Sequence, residues 1–548
     1  MKKRYLLLLA VLSGVLLSLA WPARGFPFLL FIAFVPLLYI EDFIAKNKHN
    51  FVRSSVFFYS YIAFFIWNAL TTWWIYYSTT FGAVMAIVLN SLFMAIVFFM
   101  YHLVRRTVFK SRGGYYVLIF FWITFELLHL NWDLTWSWLN LGNGFANYPK
   151  FVQWYEYTGV FGGDVWILYV NILIYKLLLN AFGRYRSRKN VYLYSASIVL
   201  VMLIPIAVSL TRYYSYTEKV KPYSCVVVQP NIDPYNEKFS GMTIQQQLDK
   251  ILNLAKQKIN DSTDFLVCPE TAIPEYIDED AINDYESIDS LKSLINKHPR
   301  LKIVIGISSF KIFKEGEKLS RTARYSPRGK HYFDVCNTAL YLDSNLIPQF
   351  YHKSKLVPGV EMMPFPKLLK PLEKFAINLG GMTGSNGTQD ERTAFGAKNS
   401  TIKVAPVICY ESIYGDFMTG YMRNGANLIF IITNDGWWKN TAGHRQHMQY
   451  ARLRAIENRR SIARAANTGI SAYINQRGDI FMPTKYWTPD VLSMQINAND
   501  RLTFYTRFGD YIGQIAKYTS LVVIVIFFAL ILLNKRKRFI VKKHQPQE

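Results

Sequence analysis

The chain has 548 residues, 51% of them hydrophobic and 16% aromatic, and it carries 62 Lys and Arg against 37 Asp and Glu. This length allows two folded units. The net charge of +25 raises the question of nucleic acid, but the basic residues stand in short runs between apolar stretches, which is typical of membrane topology. The sequence contains no phosphate-binding glycine loop, zinc ligand set or basic-aromatic nucleic-acid motif. We therefore expect no nucleic acid, no metal ion and no cofactor.

Apolar stretches dominate both ends of the chain, and a helix needs about 20 mostly apolar residues to cross the hydrocarbon core of a membrane. Seven candidate spans precede the middle region and an eighth comes after it: roughly 5–21, 27–41, 54–76, 82–104, 115–131, 164–182, 192–211 and 512–534. The basic N-terminus ahead of an apolar run also fits a signal peptide. The six later spans of the N-terminal region favour a retained first helix.

The basic loops predict the orientation of these spans. Lys and Arg concentrate at the N-terminus, in the C-terminal tail and in the loops at 42–53, 105–114 and 183–190. The alternate short loops hold only Arg24 and Lys150. Because positive charge marks the cytoplasmic side, both termini are predicted to be cytoplasmic. The even number of spans agrees, since it puts both termini on the same side. The middle region then lies outside the cytoplasmic membrane.

One outer loop, at 131–160, is long and rich in Trp, Tyr and Asn. Its aromatic rings could sit at the headgroup level of the membrane, or the loop could form a re-entrant lip that helps a lipid approach the middle region. Glu126 and His129 precede this loop near the outer end of a span. Ionisable groups inside a membrane often have a function, but nearness to the interface weakens that interpretation.

After residue 221 the pattern changes to short apolar runs that alternate with helical patterns. The runs are 223–232, 264–270, 301–310, 336–343, 401–412 and 427–437, and helical patterns at 242–259 and 442–460 fall between some of them. Continuous apolar runs are typical of strands buried on both faces, so we predict an α/β domain with helices covering a sheet. The chain divides into a membrane domain (1–211), an extracytoplasmic domain (212–511), an eighth helix (512–534) and a basic cytoplasmic tail (535–548).

Three polar clusters stand where predicted strands end, which is where functional groups gather in α/β folds. Glu270 comes after the run at 264–268, Lys353 lies in Tyr-His-Lys-Ser-Lys-Leu-Val-Pro with Glu361 shortly after it, and Cys409 closes the run at 401–408. A lone cysteine at a strand end is usually a small buried hydrophobe, so Cys409 by itself is weak support for chemistry.

The other cysteines are Cys225, Cys268 and Cys336. None of the four stands in a CxxC motif, which argues against a metal site or a redox pair. A disulfide among these three stays open if the domain faces an oxidising compartment. His444 and His447 have a ligand-like spacing on a predicted helix, but no third ligand accompanies them, and we assign both to structure.

The three clusters together resemble the active site of the nitrilase superfamily. Glu270 in Pro-Glu-Thr, Lys353 in Lys-x-x-Leu-Val-Pro and Cys409 in Cys-Tyr-Glu have the order and rough spacing of that family, and the stretches 433–438 and 443–469 resemble the family's sequence downstream of its nucleophile. Seven spans before such a domain and one after it are similar to the apolipoprotein N-acyltransferases, the membrane-embedded members of the superfamily. The resemblance covers essentially the whole chain and implies an αββα-type sandwich for the extramembrane domain.

This resemblance implies roles for the named residues. Cys409 would be the nucleophile, and Glu270 would take its proton and return one to the leaving group. Lys353 would supply positive charge to the thiolate and the oxyanion, helped by the backbone N–H of Tyr410, the residue directly after the nucleophile. Two further carboxyls are assigned accessory roles.

The first accessory carboxyl, Glu361, positions Lys353 or else forms a surface ion pair; the first interpretation is favoured. The second, Glu411, stands two residues past the nucleophile and is left open between substrate positioning and structure. The sequence departs from the family at 356–361, Leu-Val-Pro-Gly-Val-Glu, where Leu-Val-Pro-Phe-Gly-Glu is common. The glutamate keeps its place. The insert at 363–400 has no interpretation.

As a function, the resemblance implies transfer of an acyl chain from a glycerophospholipid, through a Cys409 thioester, to the N-terminal α-amine of diacylglyceryl-cysteine on apolipoproteins. The enzyme would be a monomer in a bacterial inner membrane with its catalytic domain on the periplasmic side. Two alternatives stay open: a membrane-tethered nitrilase-type amidase that uses water, and a non-catalytic membrane scaffold or transporter.

Overall fold

The computed structural model describes residues 3–111, 113–183, 186–362, 365, 385–396 and 400–543, with side chains up to residue 536 in the last helix. Most of the 363–400 insert therefore lies outside the described residues. The α-helices of the described chain are α1 (Lys3–Leu19), α2 (Leu30–Ala33), α3 (Val35–Lys46), α4 (Ser55–Thr72), α5 (Thr80–Thr107), α6 (Val117–His129), α7 (Tyr155–Thr158), α8 (Val160–Phe182), α9 (Arg188–Ser215), α10 (Ile244–Lys256), α11 (Glu286–Lys297), α12 (Gly415–Arg423), α13 (Ala442–Asn458), α14 (Phe504–Phe508) and α15 (Tyr511–Lys543).

The N-terminal third of the chain and the C-terminal helix are long apolar helices. Within the described residues, six segments are long and apolar enough to cross a membrane: Pro27–Lys46, Ser55–Tyr77, Thr80–Thr107, Val160–Phe182, Arg188–Ser215 and Tyr511–Arg536. The other two predicted spans, 5–21 and 115–131, are helical over 17 and 13 residues as α1 and α6. A 13-residue helix is about 20 Å long, shorter than the hydrocarbon core of about 30 Å. A membrane region of several spans is confirmed, whereas the count of eight stays a prediction.

Charged side chains occur inside this helical region. Arg105 of α5 forms ion pairs with Glu41 and Asp42 of α3, and its Nη2 lies 2.8 Å from Asp42 Oδ1. His102 Nδ1 lies 2.7 Å from Glu41 Oε1. All four side chains are buried, so the charges satisfy one another in a place without water. The cluster ties α3 to α5.

The middle region forms two sheets. The strands are β1 (Pro222–Gln229), β2 (Phe265–Val267), β3 (Ile273–Asp278), β4 (Lys302–Ile312), β5 (Arg324–Ser326), β6 (His331–Leu342), β7 (Gln349–His352), β8 (Val404–Ile408), β9 (Leu428–Thr433), β10 (Ile462–Ala466), β11 (Ala472–Ile474), β12 (Ile480–Phe481) and β13 (Asp490–Asn497). The outer sheet has the order β13-β1-β2-β4-β6-β5, with β3 paired to β4 and β7 to β6, and the inner sheet has the order β12-β11-β10-β9-β8.

The two sheets pack face to face between helices. Helices α10 and α11 cover the outer sheet through a separate apolar core that includes Val226, Leu266 and Leu291. On the other side, α13 contacts both the inner sheet and the membrane helices, and one continuous apolar core joins the sandwich interior to the helices of the membrane region. This confirms the predicted α/β sandwich. It also places the inner sheet nearer the membrane than the outer sheet.

Candidate active site

Glu270 lies in a turn after β2, near the carboxyl ends of the parallel strands β1, β2 and β4. The turn passes directly over β4 at Gly306. A Cβ at Gly306 would lie 2.6 Å from the Glu270 Cα and 2.4 Å from the Thr271 nitrogen, so glycine is required for this close approach. Thr271 itself has a left-handed φ of 44°. The carboxyl of Glu270 is therefore held by a tightly constrained backbone and is buried.

Lys353 stands directly after β7, and its side chain reaches the Glu270 carboxylate. Its Nζ lies 3.0 Å from Glu270 Oε1 and 2.7 Å from Glu361 Oε1. The side chain of Lys353 is only 1% exposed, so its positive charge is matched by the two carboxyls and not by water. Asn337 of β6 donates to the same Oε1 atoms, at 2.8 Å for Glu270 and 3.3 Å for Glu361.

Cys409 stands directly after β8 and opens a short 3-10 helix, Cys409–Ile413. Its φ is 50°, a left-handed conformation that is unfavourable for a residue with a side chain. Strand β9, parallel to β8, ends next to it, and the backbone N–H of Asn434 after β9 donates to Glu270 Oε2 at 3.1 Å. The thiol lies within the electrostatic reach of both Glu270 and Lys353. The structure thus brings the three residues predicted for chemistry into one buried site.

The site holds a neutral thiol beside an ionised carboxylate. Burial raises the pKa of Cys409 and the Glu270 charge adds to this, while Lys353 offsets part of it, so the pKa of the thiol lies above its usual range. Burial also raises the pKa of Glu270, but the charge of Lys353 and the hydrogen bonds from Asn337 and Lys353 outweigh it and leave this pKa below the usual value. Glu270 is therefore free to accept a proton.

The accessory residues occupy distinct places. Glu361 holds Lys353, and its Oε2 accepts from the backbone N–H of Val357 at 2.9 Å, which closes the loop after the lysine. Tyr410 points towards the membrane region, where its ring stacks on Trp136 at 6.2 Å between centroids.

Glu411 is fully buried, and its carboxylate is held by groups on both sides of the site. Its Oε1 accepts from Tyr351 Oη and from the backbone N–H of Ser354, at 2.7 and 2.6 Å. Its Oε2 accepts from the backbone N–H of Ile408 at 2.8 Å. Glu411 therefore joins the start of the cysteine turn to the loop after Lys353, which is a structural connection within the site.

A cavity of about 180 Å³ opens beside the thiol and continues into the membrane region. Its wall combines Cys409, Tyr410 and Trp438 with the loop after Lys353 and with one face of α5 from Phe81 to Phe93. The predicted outer loop contributes Thr135, Trp136 and Trp138, and His129 also lines the cavity. The loop at 131–160 therefore reaches the site, although its role as a lip for lipids stays a prediction.

Three polar residues of the site were not predicted from sequence. Asn337 and Asn434 hold the Glu270 carboxylate, and the buried Lys238 donates to the Glu270 carbonyl oxygen at 3.3 Å and to Thr271 Oγ1 at 2.6 Å. Burial lowers the pKa of Lys238 to about 8, with the Glu270 charge opposing the shift. In the sequence, the only feature that could have indicated these residues is the position of Asn337 and Asn434 inside or directly after apolar runs.

The structure also answers the open questions about a disulfide and about Glu126. Cys225, Cys268, Cys336 and Cys409 are all free and buried, so the described cysteines form no disulfide. Glu126 accepts from Trp122 and from the backbone N–H of Leu141, which fastens the outer loop at Leu141 to α6.

The sequence matches two family models. Residues 13–173 match the apolipoprotein N-acyltransferase N-terminal domain, and residues 227–502, half of the chain, match the carbon-nitrogen hydrolase family. The chain belongs to the carbon-nitrogen hydrolase family. The resemblance to the nitrilase superfamily, drawn from the motifs at Glu270, Lys353 and Cys409, is confirmed.

Relatives cover nearly the whole chain. The apolipoprotein N-acyltransferase of Chlorobaculum tepidum is 28% identical over 92% of this chain and 93% of its own length, and that of Geobacter metallireducens is 29% identical over 92% and 91%. Among solved structures, Saccharomyces cerevisiae Nit3, a member of branch 10 of the nitrilase superfamily, is 15% identical with a TM-score of 0.35 and covers 50% of this chain and 90% of its own. Both family domains and the apolar helices characterise the protein as a membrane acyltransferase of this superfamily.

Proposed function

We propose that the protein transfers an acyl chain from a membrane glycerophospholipid to Cys409, and from there to the N-terminal α-amine of diacylglyceryl-cysteine on apolipoproteins. The observation that carries this proposal is the apolar cavity that connects Cys409 to one face of α5. An acyl chain inside it stays out of water, where exposing each CH₂ would cost about 0.8 kcal/mol. An amidase for small polar substrates has no use for such a cavity, and a scaffold has no use for the ion-paired Glu270 and Lys353.

In the first half-reaction, Cys409 Sγ attacks the ester carbonyl carbon of the donor while its proton passes to Glu270. The resulting oxyanion is stabilised by Lys353 and by the backbone N–H of Tyr410. When the tetrahedral intermediate collapses, the bond to the glycerol oxygen breaks, and that oxygen takes the proton from Glu270. The products are the thioester and a lysophospholipid.

In the second half-reaction, the acceptor amine attacks the thioester carbonyl and gives a proton to Glu270. The bond to Sγ then breaks, the amide is released, and the proton returns to the thiolate. The high pKa of the Cys409 thiol favours this return, because the thiol is the stable resting form. Both half-reactions use one base and one oxyanion site.

The predicted topology completes the proposal. The basic loops support a topology with both termini in the cytoplasm and the 212–511 domain on the periplasmic side of a bacterial inner membrane. Donor and acceptor would then meet at the outer leaflet, next to the loop at 131–160. A single chain contains the complete site, which supports a monomer.

The decisive experiment traps the thioester. The purified enzyme is mixed with phospholipid that carries a labelled acyl chain, without acceptor. We expect label bound to the protein that hydroxylamine releases, and none on Cys409→Ser. Addition of a diacylglyceryl lipopeptide should then move the label to the peptide amine. Release of free fatty acid alone would instead indicate a hydrolase, and absence of any protein-bound label would contradict the proposal.

A further inference from the structure

A chain of buried polar side chains, none of which lines the cavity, reaches the backbone of Cys409. His447 of α13 places its Nε2 3.1 Å from the Cys409 carbonyl oxygen and 2.9 Å from Ser412 Oγ. Ser412 Oγ donates to the same carbonyl oxygen at 2.7 Å. On the other edge of the ring, His447 Nδ1 lies 3.0 Å from Asp435 Oδ1. Arg464 donates to Asp435 Oδ2 at 2.7 Å.

This chain resembles a serine, histidine and aspartate relay in its order, yet it cannot act on a substrate. Ser412, His447, Asp435 and Arg464 are each at most 1% exposed. The cavity is lined by Cys409 and Tyr410 and by none of these four. Ser412 and His447 both contact the Cys409 carbonyl oxygen, so an effect of this chain on the reaction must pass through the backbone.

The peptide unit between Cys409 and Tyr410 links the contacts at the Cys409 carbonyl oxygen to the Tyr410 N–H. In a planar trans peptide, the C=O and the next N–H point in opposite directions. The Cys409 C=O points towards Ser412 and His447, so the Tyr410 N–H points away from these two buried side chains, and Cys409 and Tyr410 themselves line the cavity. N–H groups in the first turn of a helix have no partner inside the helix, so this donor is available.

We propose that His447 is a positioning residue that aims the Tyr410 N–H at the reacting carbonyl by holding the Cys409 carbonyl oxygen. This inference rests on the proposed function, in which that N–H stabilises the oxyanion. The strained φ of 50° at Cys409 needs such external support, because a left-handed conformation persists only where its surroundings over-determine it. Asp435 and Arg464 fix the orientation of the His447 ring, and the neighbouring Asn434 N–H holds Glu270. The same segment therefore aligns the base and the oxyanion donor.

The test separates two reactions of the same thiol. Acylation by a phospholipid passes through an oxyanion, whereas alkylation by iodoacetamide displaces iodide and forms none. For His447→Leu we expect thioester formation to fall by ~100-fold, the cost of a misplaced or lost oxyanion donor, while the alkylation rate at Cys409 and the KM for phospholipid stay close to those of the wild type. His447→Gln, whose amide can donate to the carbonyl oxygen, should recover part of the loss.

His444→Gln is the matched control, because His444 lies one turn earlier on α13 and stacks on Tyr486 instead of contacting Cys409. It should acylate as the wild type does. If His447→Leu does not fold, Ser412→Ala removes the other donor to the same oxygen and should also lower acylation selectively. Equal losses of acylation and alkylation, or no loss of acylation in a folded variant, would overturn the inference. A wild type that forms no thioester would instead refute the proposed function.

Discussion

At the scale of single residues, the site is a balanced set of buried and half-buried charges. Glu270 and Glu361 are formally anionic, and Lys353 and Lys238 are formally cationic, with all four side chains within one hydrogen-bonded group around the Glu270 turn. Each buried charge has a partner, which is the condition under which burial is tolerated. The neutral amide of Asn337 then adjusts the basicity of Glu270 without changing the charge.

Asn337→Ala removes a hydrogen bond that stabilises the ionised form of Glu270. Since this bond lowers the pKa of Glu270, its loss should raise that pKa. The base is then protonated at a higher pH, so the acid limb of the pH–rate profile for thioester formation should shift to higher pH. Asn345→Ala, in the exposed turn after β6, should leave the profile in place. A profile that moves to lower pH, or not at all, would contradict the assignment of Glu270 as the base.

Lys353→Ala removes the positive charge that faces the oxyanion. Loss of one oxyanion donor typically costs about 3–4 kcal/mol in the barrier, so we expect kcat to fall by ~10²–10³ with little change in the KM for phospholipid. Steady-state kinetics with a lipopeptide acceptor measure this. Near-normal turnover in a folded variant would show that Lys353 has another role.

At the scale of elements, the site lies where strand ends meet. Glu270 lies at the carboxyl ends of β2 and β4. Cys409 and Asn434 lie side by side at the carboxyl ends of the parallel strands β8 and β9. The two groups come from different sheets, so their distance depends on how the sheets pack. Glu411 is the connection between these parts, because it joins the cysteine turn of the inner sheet to the loop after β7 of the outer sheet.

Glu411→Ala should break this connection. It leaves the buried backbone N–H of Ile408 and the half-buried N–H of Ser354 without their acceptor, and an unsatisfied buried group costs about 1–3 kcal/mol. We expect a lower melting temperature and a lower kcat together, since the loop after Lys353 loses its anchor. Thermal unfolding in detergent and thioester formation on the same sample measure both. Loss of activity at unchanged stability would instead indicate a direct role in chemistry.

At the scale of the whole molecule, the α/β domain is attached to the helical membrane region by contacts that include buried ion pairs. Glu156 of α7 accepts from Arg459 at 2.8 Å and from Arg212 at 2.6 Å, so it joins the end of α13 to α9. Gln446 of α13 accepts from Trp74 and Trp138. These contacts fix the position of the α/β domain, which carries Cys409, relative to the helices that line the cavity.

Glu156→Ala should loosen this interface. It leaves the Arg459 guanidinium, which is 3% exposed, without its carboxylate, and an unpaired buried charge of this kind typically costs about 3–5 kcal/mol. The apparent melting temperature of the enzyme in detergent should fall accordingly. Asp500→Ala, which breaks the exposed pair with Lys219, is the control and should have little effect. Equal behaviour of the two variants would show that the Glu156 contacts carry no stability.

Local patterns predicted much of the fold. Hydropathy located the long helices, and continuous apolar runs located β1, β2, β4, β6, β8 and β9, because both signals come from residues that are neighbours in sequence. The strands β3, β5, β7 and β10 to β13 were not predicted. Buried polar residues such as Arg464 and Ser461 interrupt or flank these strands, and their partners come from distant parts of the chain.

By itself, the sequence determined the division into membrane helices and an α/β domain, the family, and the three residues proposed for chemistry, since each depends on composition or on a short motif. The tertiary structure alone decided that Asn337 and Asn434 hold Glu270, that Glu411 faces the loop after Lys353, and that His447 holds the carbonyl of Cys409. These contacts join residues from separate strands and helices. The physical reason is that a buried polar group takes whichever partner the packing of the two sheets brings within hydrogen-bond distance, and no local pattern records that choice.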